Sequence, residues 1–219
     1  RKRLGDRAFF AQCKEKIEKG TVWHSGENVF IQMVTYSGHS PFKMPESLKT
    51  VHFSNRIPEI MADYMAVAHY TDEAIGKFVE YLKTRPKYER TMVVITGDHE
   101  GLADHRKELC HTKAGKGIIS ENEFTPFIVL NSPVPMYYSK IMGQIDIYPT
   151  LLNLIALEKF RWSGIGQSIL DPQKPGIAIS PKRKIEGDTL HISEDELLRI
   201  HHSPIISDRI IRFDKLKGL

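Results

Sequence analysis

The chain has 219 residues, enough for one sizeable domain with its own core, and 41% hydrophobic with 26% charged residues is the composition of a soluble globular protein. The net charge of +4 is spread along the chain, and its one short basic run, SPKRK at 180–184, has no aromatic residues interleaved, which favours a solvated face over a nucleic-acid or anionic-membrane patch. No run of about 18 apolar residues is present to cross a membrane, the opening RKRLGDRAFF lacks the apolar stretch of a signal peptide, and two cysteines are too few for a disulfide scaffold. Whether Cys13 and Cys110 pair or stay free is open on sequence grounds. The first residue is not Met, so the chain is expected to start inside a longer protein, with any anchor or signal upstream.

In chain order, DRAFFAQCKEKIEK (6–19) carries apolar residues at helical spacing, with Asp6 as a candidate cap and Gly20 as the stop. NVFIQMVTY (28–36) reads as a buried strand, followed by the Gly/Pro-punctuated loop SGHSPFKMPE. Residues 56–85 keep a 3.6-residue period from Pro58 to the stop at Pro86 and predict one long helix. TMVVITGD (91–98) and TPFIVLNS (125–132) read as further buried strands, separated by a polar irregular stretch over 101–123. GQIDIYPTLLNLIALE (143–158) predicts a helix entered near Asp146, with Pro149 tolerated in its first turn.

Near-continuous apolar strands alternating with helices predict an α/β fold with a mainly parallel sheet. After Gly166 the texture changes. GIAISPKRKIEGDTLHIS looks like a hairpin, EDELLRIHH like a short polar helix or loop, and RIIRFDKLKGL like an edge strand. The expected organisation is therefore residues 1–174 as an α/β body and 175–219 as a small antiparallel subdomain.

The segment VVITGDHEG (93–101) runs from an apolar strand directly into Asp98 and His99. In open α/β sheets, ligands bind beyond the carboxyl ends of the strands. Gly97 lets the chain turn there and Gly101 adds slack. A carboxylate beside an imidazole suits Zn²⁺, Mn²⁺ or a similar divalent ion. Asp98 as a turn cap, with His99 as an ordinary surface or core histidine, accounts for the spacing equally well. His39, in SGHSPF beyond strand 28–36, projects from the same sheet edge and could bind an anion or protonate a leaving oxygen, or simply bond to loop backbone. His105 and His111 read as exposed loop residues, His69 as a helix-packing residue, and His201–His202 as surface. The GKG at 115–117 lacks the spacing of a phosphate-binding P-loop, and no G-x-S-x-G elbow exists.

Taken in order, FIQMVTYSGHSPFKMPE, YMAVAHYTDEAIGKFVEYLK, TMVVITGDHEG, TPFIVLNSP and GQIDIYPTLLNLIAL resemble the sulfatase-like domain of the alkaline phosphatase superfamily, above all its lipoteichoic acid synthase/phosphoglycerol transferase branch. The resemblance runs from about residue 6 to residue 170. It implies an alkaline phosphatase-like α/β sandwich with a small C-terminal subdomain. It implies that Asp98 and His99 are ligands of a divalent metal (Mn, Zn, Mg or Ca) and that His39 contacts the phosphate or sulfate group of an ester substrate. The implied reaction is attack on a phosphodiester phosphorus, a covalent enzyme intermediate, and transfer to an alcohol or water. The family's nucleophile, a Thr or a formylglycine-forming Cys or Ser, has no matching context in this chain, and an upstream acidic ligand is missing too. The expectation is a C-terminal part of the catalytic domain, inactive alone, from a parent anchored at the outer face of the cell membrane. A sulfatase and a non-catalytic scaffold domain are the alternatives. Glu100 stands where relatives often carry Gly or an aromatic residue, and either reshapes the substrate pocket or faces solvent.

Overall fold

The structure is a computed structural model and describes residues 4–23, 26–162, 164–180 and 183–213. Residues 181–182 of the basic run and 214–219 of the expected last strand lie outside them. The chain divides into two compact units, residues 1–131 and 132–219. The second contains the 175–219 segment set apart in sequence, together with 132–174.

The first unit is organised by two helices, α1 (Asp6–Glu18) and α2 (Glu59–Lys83). Helix α1 ends where Gly20 takes a positive φ of 65°, a conformation that costs glycine little. Its apolar face packs on the C-terminal half of α2. Phe10, Ala74, Phe78 and Leu82 form one cluster, and the Phe10 and Phe78 rings stack with centroids 4.9 Å apart. The N-terminal half of α2 turns Met61, Tyr64 and Val67, three residues apart, into a second cluster with Phe42, Leu102 and Leu109. Asp6 is not the helix cap expected from sequence, a position held by Gly5. Its carboxylate is buried and accepts bonds from the Tyr36 amide (3.0 Å), the Ser37 amide (3.1 Å) and the Thr71 hydroxyl (2.7 Å).

The strands β1 (Val93–Thr96) and β2 (Phe127–Leu130) pair with Val93 opposite Leu130 and Thr96 opposite Phe127. The mixed α/β class read from sequence stands, but this ladder is antiparallel where a parallel one was expected. A parallel pair needs a crossover to the opposite end of the sheet. Here the connection winds through α3 (Ala103–Leu109) and re-enters beside the end of β1 it left from, so a Cβ on Gly97 would stand 3.3 Å from Thr125 Cβ. Both strands are half-buried rather than fully buried. Residues 28–36 also depart from expectation. They join neither ladder among the described residues and leave Phe30 85% and Val34 70% exposed, while Met33 packs on the α1–α2 cluster.

In the second unit, α4 (Ile147–Leu154) follows a single 3₁₀ turn at Gln144–Asp146 and keeps Pro149 in its first turn, where the missing N–H is harmless. Asp146 is buried; its carboxylate takes the amides of Gly143 and Gln167 (both 2.9 Å) and the ammonium of Lys174 (3.0 Å). The hairpin β3 (Ile177–Ile179) and β4 (Ile185–Gly187) is antiparallel, as the sequence predicted for this subdomain. The stretch read as a short polar helix followed by an edge strand is instead one 19-residue helix, α5 (Glu194–Arg212), with Pro204 inside it. Ser193 caps it by accepting from the Glu196 amide (3.2 Å). Acidic residues in the first turn and Arg209 and Arg212 in the last complement the helix dipole.

Candidate functional site

The strand–turn GDHEG begins one residue after β1. Its Asp98 and His99 side chains are 88% and 69% exposed, with Asp98 Oδ2 3.7 Å from His99 Nε2. The His99 amide donates to Asp98 Oδ1 at 3.0 Å, which folds the carboxylate back toward the ring. His99 Nδ1 lies 2.8 Å from the Glu100 carbonyl oxygen. A carbonyl only accepts, so Nδ1 donates to it, which in the neutral ring leaves the lone pair on Nε2, the nitrogen facing Asp98. Metal-binding histidines have this arrangement: one ring nitrogen tied to a carbonyl fixes the tautomer and aims the other. Adjacent nitrogen and oxygen ligands of one ion stand roughly 3–3.5 Å apart at ordinary bond lengths, so small side-chain rotations bring this pair into range. The donor set fits a divalent cation. Among the described residues no third His, Cys, Asp or Glu joins the two in a three-donor group.

The two glycines work by close packing rather than by supplying slack. A Cβ on Gly101 would stand 2.3 Å from Tyr64 Cε2, and Gly97 abuts Thr125. Glu100 does not face open solvent. Its carboxylate is 3.2 Å from Arg106 Nε, and Arg106, buried on α3, also reaches Glu123 at 3.0 Å. This double pair ties the turn after β1 to the chain segment that returns to β2. Arg106 escaped the sequence reading because nothing in its local pattern separates a buried arginine from a solvated one.

His39 is placed by different contacts. Its amide closes a turn onto the Tyr36 carbonyl (3.1 Å), and its ring stacks on Tyr36 with centroids 5.4 Å apart and planes within 2°. Its Nδ1 is 2.8 Å from the Ser40 carbonyl oxygen, so Nε2 is again the outward nitrogen. His39 lines a concavity of about 250 Å³ with Tyr36, Ser37, Pro41, Lys43 and Tyr70. Asp98 and His99 do not line it, so Asp98 and His99 are brought together and His39 belongs to a separate concavity of the same unit. Lys43 brings a cation that sequence reasoning overlooked. It pairs with Asp63 (2.6 Å) and Glu59 (2.8 Å), whose hydrogen bonds, Asp63's first, hold its ammonium well above the usual lysine range.

The remaining histidines divide simply. His69 is exposed on α2 and bonds to Thr50 Oγ1 (3.1 Å) rather than packing in the core. His105 lies exposed on α3, and His201 and His202 are exposed on α5. Cys13 and Cys110 are both free thiols.

The sulfatase family profile matches residues 5–157. Lipoteichoic acid synthase 2 of Bacillus subtilis is 24% identical over an alignment of 246 positions, covering 98% of this chain and 36% of its own. The lipoteichoic acid synthase of Staphylococcus aureus is 25% identical over 135 positions, covering 59% of this chain and 21% of its own. Among solved structures, the lipoteichoic acid synthase LtaP from Listeria monocytogenes superposes with a TM-score of 0.69 at 17% identity, over 95% of this chain and 59% of that one. A Vibrio parahaemolyticus protein of the alkaline phosphatase superfamily gives 0.62 at 17% identity, over 96% and 55%. The chain thus spans only about a third of the curated relatives it matches most fully, and its fold is that of the alkaline phosphatase superfamily. With the family profile covering most of the chain, including both the Asp98–His99 turn and the His39 loop, the protein belongs to the sulfatase family.

Proposed function

We propose that residues 1–219 are part of a metal-dependent enzyme of the phosphoglycerol transferase/phosphodiesterase type, acting on a phosphate ester through a covalent intermediate. The observation that carries the reading is the Asp98–His99 pair, with Nε2 facing the carboxylate and Nδ1 tied to backbone. In this reading Asp98 and His99 hold a divalent cation. When bound, the ion supplies charge neutralisation at the phosphoryl oxygens and lowers the pKa of the attacking hydroxyl. His39 Nε2 contacts the anionic ester, held in orientation by its bond to Ser40 and its stack on Tyr36.

The nucleophile and further metal ligands come from a segment outside these residues, so residues 1–219 alone show no turnover. The exposed Phe30 and Val34 on the unladdered stretch 28–36 support a larger catalytic domain, since exposed apolar runs of this kind are normally covered. Residues 1–174 then belong to that catalytic domain and 175–219 are appended to it. Among the described residues no helix is long and apolar enough to cross a membrane. In this reading, anchoring at the outer face of the cell membrane falls to the same outside segment.

The family profile also supports a sulfatase reading. The two are separated by offering the complete protein containing this chain a glycerophospholipid and an aryl sulfate under divalent-metal supply. The reading expects release of diacylglycerol and no sulfate. Sulfate release without lipid cleavage would replace it with the sulfatase, and turnover of either by residues 1–219 alone would refute the outside nucleophile.

A further inference from the structure

We propose that Cys110, His111 and Glu121 form a binding site for a borderline-soft divalent metal of the zinc class, built from residues other than Asp98 and His99. One ligand atom from each — the thiol sulfur, a ring nitrogen and a carboxylate oxygen — lies within 4.8 Å of the other two. Tetrahedral zinc holds such donors about 3.3–3.8 Å apart, so closure needs a shift of about 1 Å. His111 and Glu121 are exposed and free to rotate that far, while the buried Cys110 stays as the fixed point.

The backbone around the three is held from several sides. Cys110 ends α3, its amide bonded to the Arg106 carbonyl at 2.9 Å. The chain then coils back on the helix end through bonds from Thr112 to Leu109 and from Lys116 to Thr112. Gly115 makes that return possible, because a Cβ there would stand 1.9 Å from the Leu109 carbonyl oxygen. On one side of Glu121, Ile119 packs on the Phe42–Met61–Leu102 cluster; on the other, Glu123 is paired to buried Arg106 at 3.0 Å. Glu121 is thereby delivered to the Cys110–His111 step from ten residues away.

The donor chemistry selects the ion. A thiolate disfavours Mg²⁺, Ca²⁺ and Mn²⁺, and thiolate with imidazole and carboxylate suits Zn²⁺, leaving a fourth position to solvent. On binding, the Cys110 thiol gives up its weak bond to the Lys107 carbonyl (3.4 Å), its proton passes to solvent, and a sulfur–metal bond forms with no change of oxidation state.

Co²⁺ is the probe, because a cobalt–thiolate bond gives a near-ultraviolet charge-transfer band. Titrating the full chain should give that band, saturating at one ion per chain. The band should vanish in Cys110→Ser and persist in Cys13→Ser and in Asp98→Ala/His99→Ala. Outer-shell partners alone change metal affinity 10–100-fold, so His111→Ala and Glu121→Gln should each weaken binding by more than about tenfold. Far-UV circular dichroism of each variant confirms that it is folded. The proposal is overturned by the absence of the band in the folded chain, by its survival in Cys110→Ser, or by an affinity that ignores both His111→Ala and Glu121→Gln.

Discussion

The Tyr64 ring packs against the backbone of Gly101, close enough that a methyl group on residue 101 would collide with it at 2.3 Å. The same ring meets Phe42 edge-on, with centroids 5.2 Å apart. A single α2 side chain therefore touches the loop that carries His39 and the turn that carries Asp98 and His99. Phe42 and Leu102, one from each loop, share its core cluster. The positions of both candidate loops are set by packing on one helix face.

Gly101→Ala should accordingly destabilise the chain by about 1–3 kcal/mol, the usual cost of overpacking. In the Tyr64→Ala background the same change should cost much less. A double-mutant cycle in urea reads this directly, and a coupling near zero would show that the ring and the glycine do not constrain each other.

Asp6 ties the start of α1 to Tyr36 and Ser37, where the unladdered stretch leads into the His39 loop. Asp6→Ala strands two amides and a hydroxyl in a part-buried setting, at an expected loss of about 2–4 kcal/mol. Amide hydrogen exchange at Tyr36 and Ser37 should accelerate beyond what global destabilisation explains. Unchanged exchange at those two amides would contradict the role.

Asp63 makes stability depend on acid pH. Hydrogen bonding from Lys43 holds its carboxyl below an aspartate's ordinary value, outweighing the opposing desolvation, with Lys49 adding to the effect. A folded pKa depressed below the unfolded one gives stability that is present above the unfolded value and lost as pH falls through the folded one. This contribution is therefore complete above about pH 5 and declines below it. Urea midpoints for the wild type should drop more steeply between about pH 5 and pH 2.5 than those of Asp63→Asn. Other paired carboxylates, such as Glu73 and Glu196, contribute equally to both proteins and leave the difference intact.

In the second unit the ion pair of Lys174 with Asp146 is enclosed, with side-chain exposures of only 4% and 6%. Lys174→Met leaves the buried Asp146 carboxylate without its ion-pair partner, and should cost about 3–5 kcal/mol. Adding Asp146→Asn to that variant should recover part of the loss, because the orphaned charge is removed. A double variant less stable than Lys174→Met by the full cost of Asp146→Asn would show that the pair is not coupled.

Much of this was legible in the chain. The two long periodic segments gave α1 to within one residue and α2 to within three at each end, because their apolar stripes are regular and end at Gly20 and Pro86. A hairpin was legible between residues 176 and 193, but the signal taken for its turn, Glu-Gly-Asp, falls at the end of β4, and the chain reverses between Ile179 and Ile185 instead. Helix α5 was misread because Pro204 reads locally as a breaker, while the Ser193 cap and the sign pattern of the end charges act over the whole length. Strand direction was misread because apolar runs report burial and say nothing of which sheet end the connection returns to. Of the candidate residues, Asp98 and His99 could be singled out by residue type at the end of the β1 run, and His39 by residue type in a Gly/Pro-punctuated loop. Tyr64, Arg106 and Lys43 could not, since their roles rest on partners distant in sequence, such as Gly101, Glu123 and Asp63.

The central claim is that Asp98 and His99 grip the cation on which chemistry depends. Its most direct measurement is divalent-metal-dependent cleavage of bis(4-nitrophenyl) phosphate by the complete protein containing this chain, with and without Asp98→Ala/His99→Ala. Losing several kcal/mol of charge stabilisation, at about 1.36 kcal/mol per tenfold, predicts a fall of roughly a thousandfold or more with the fold retained. A double variant that turns over at the wild-type rate across the metal titration would contradict the account.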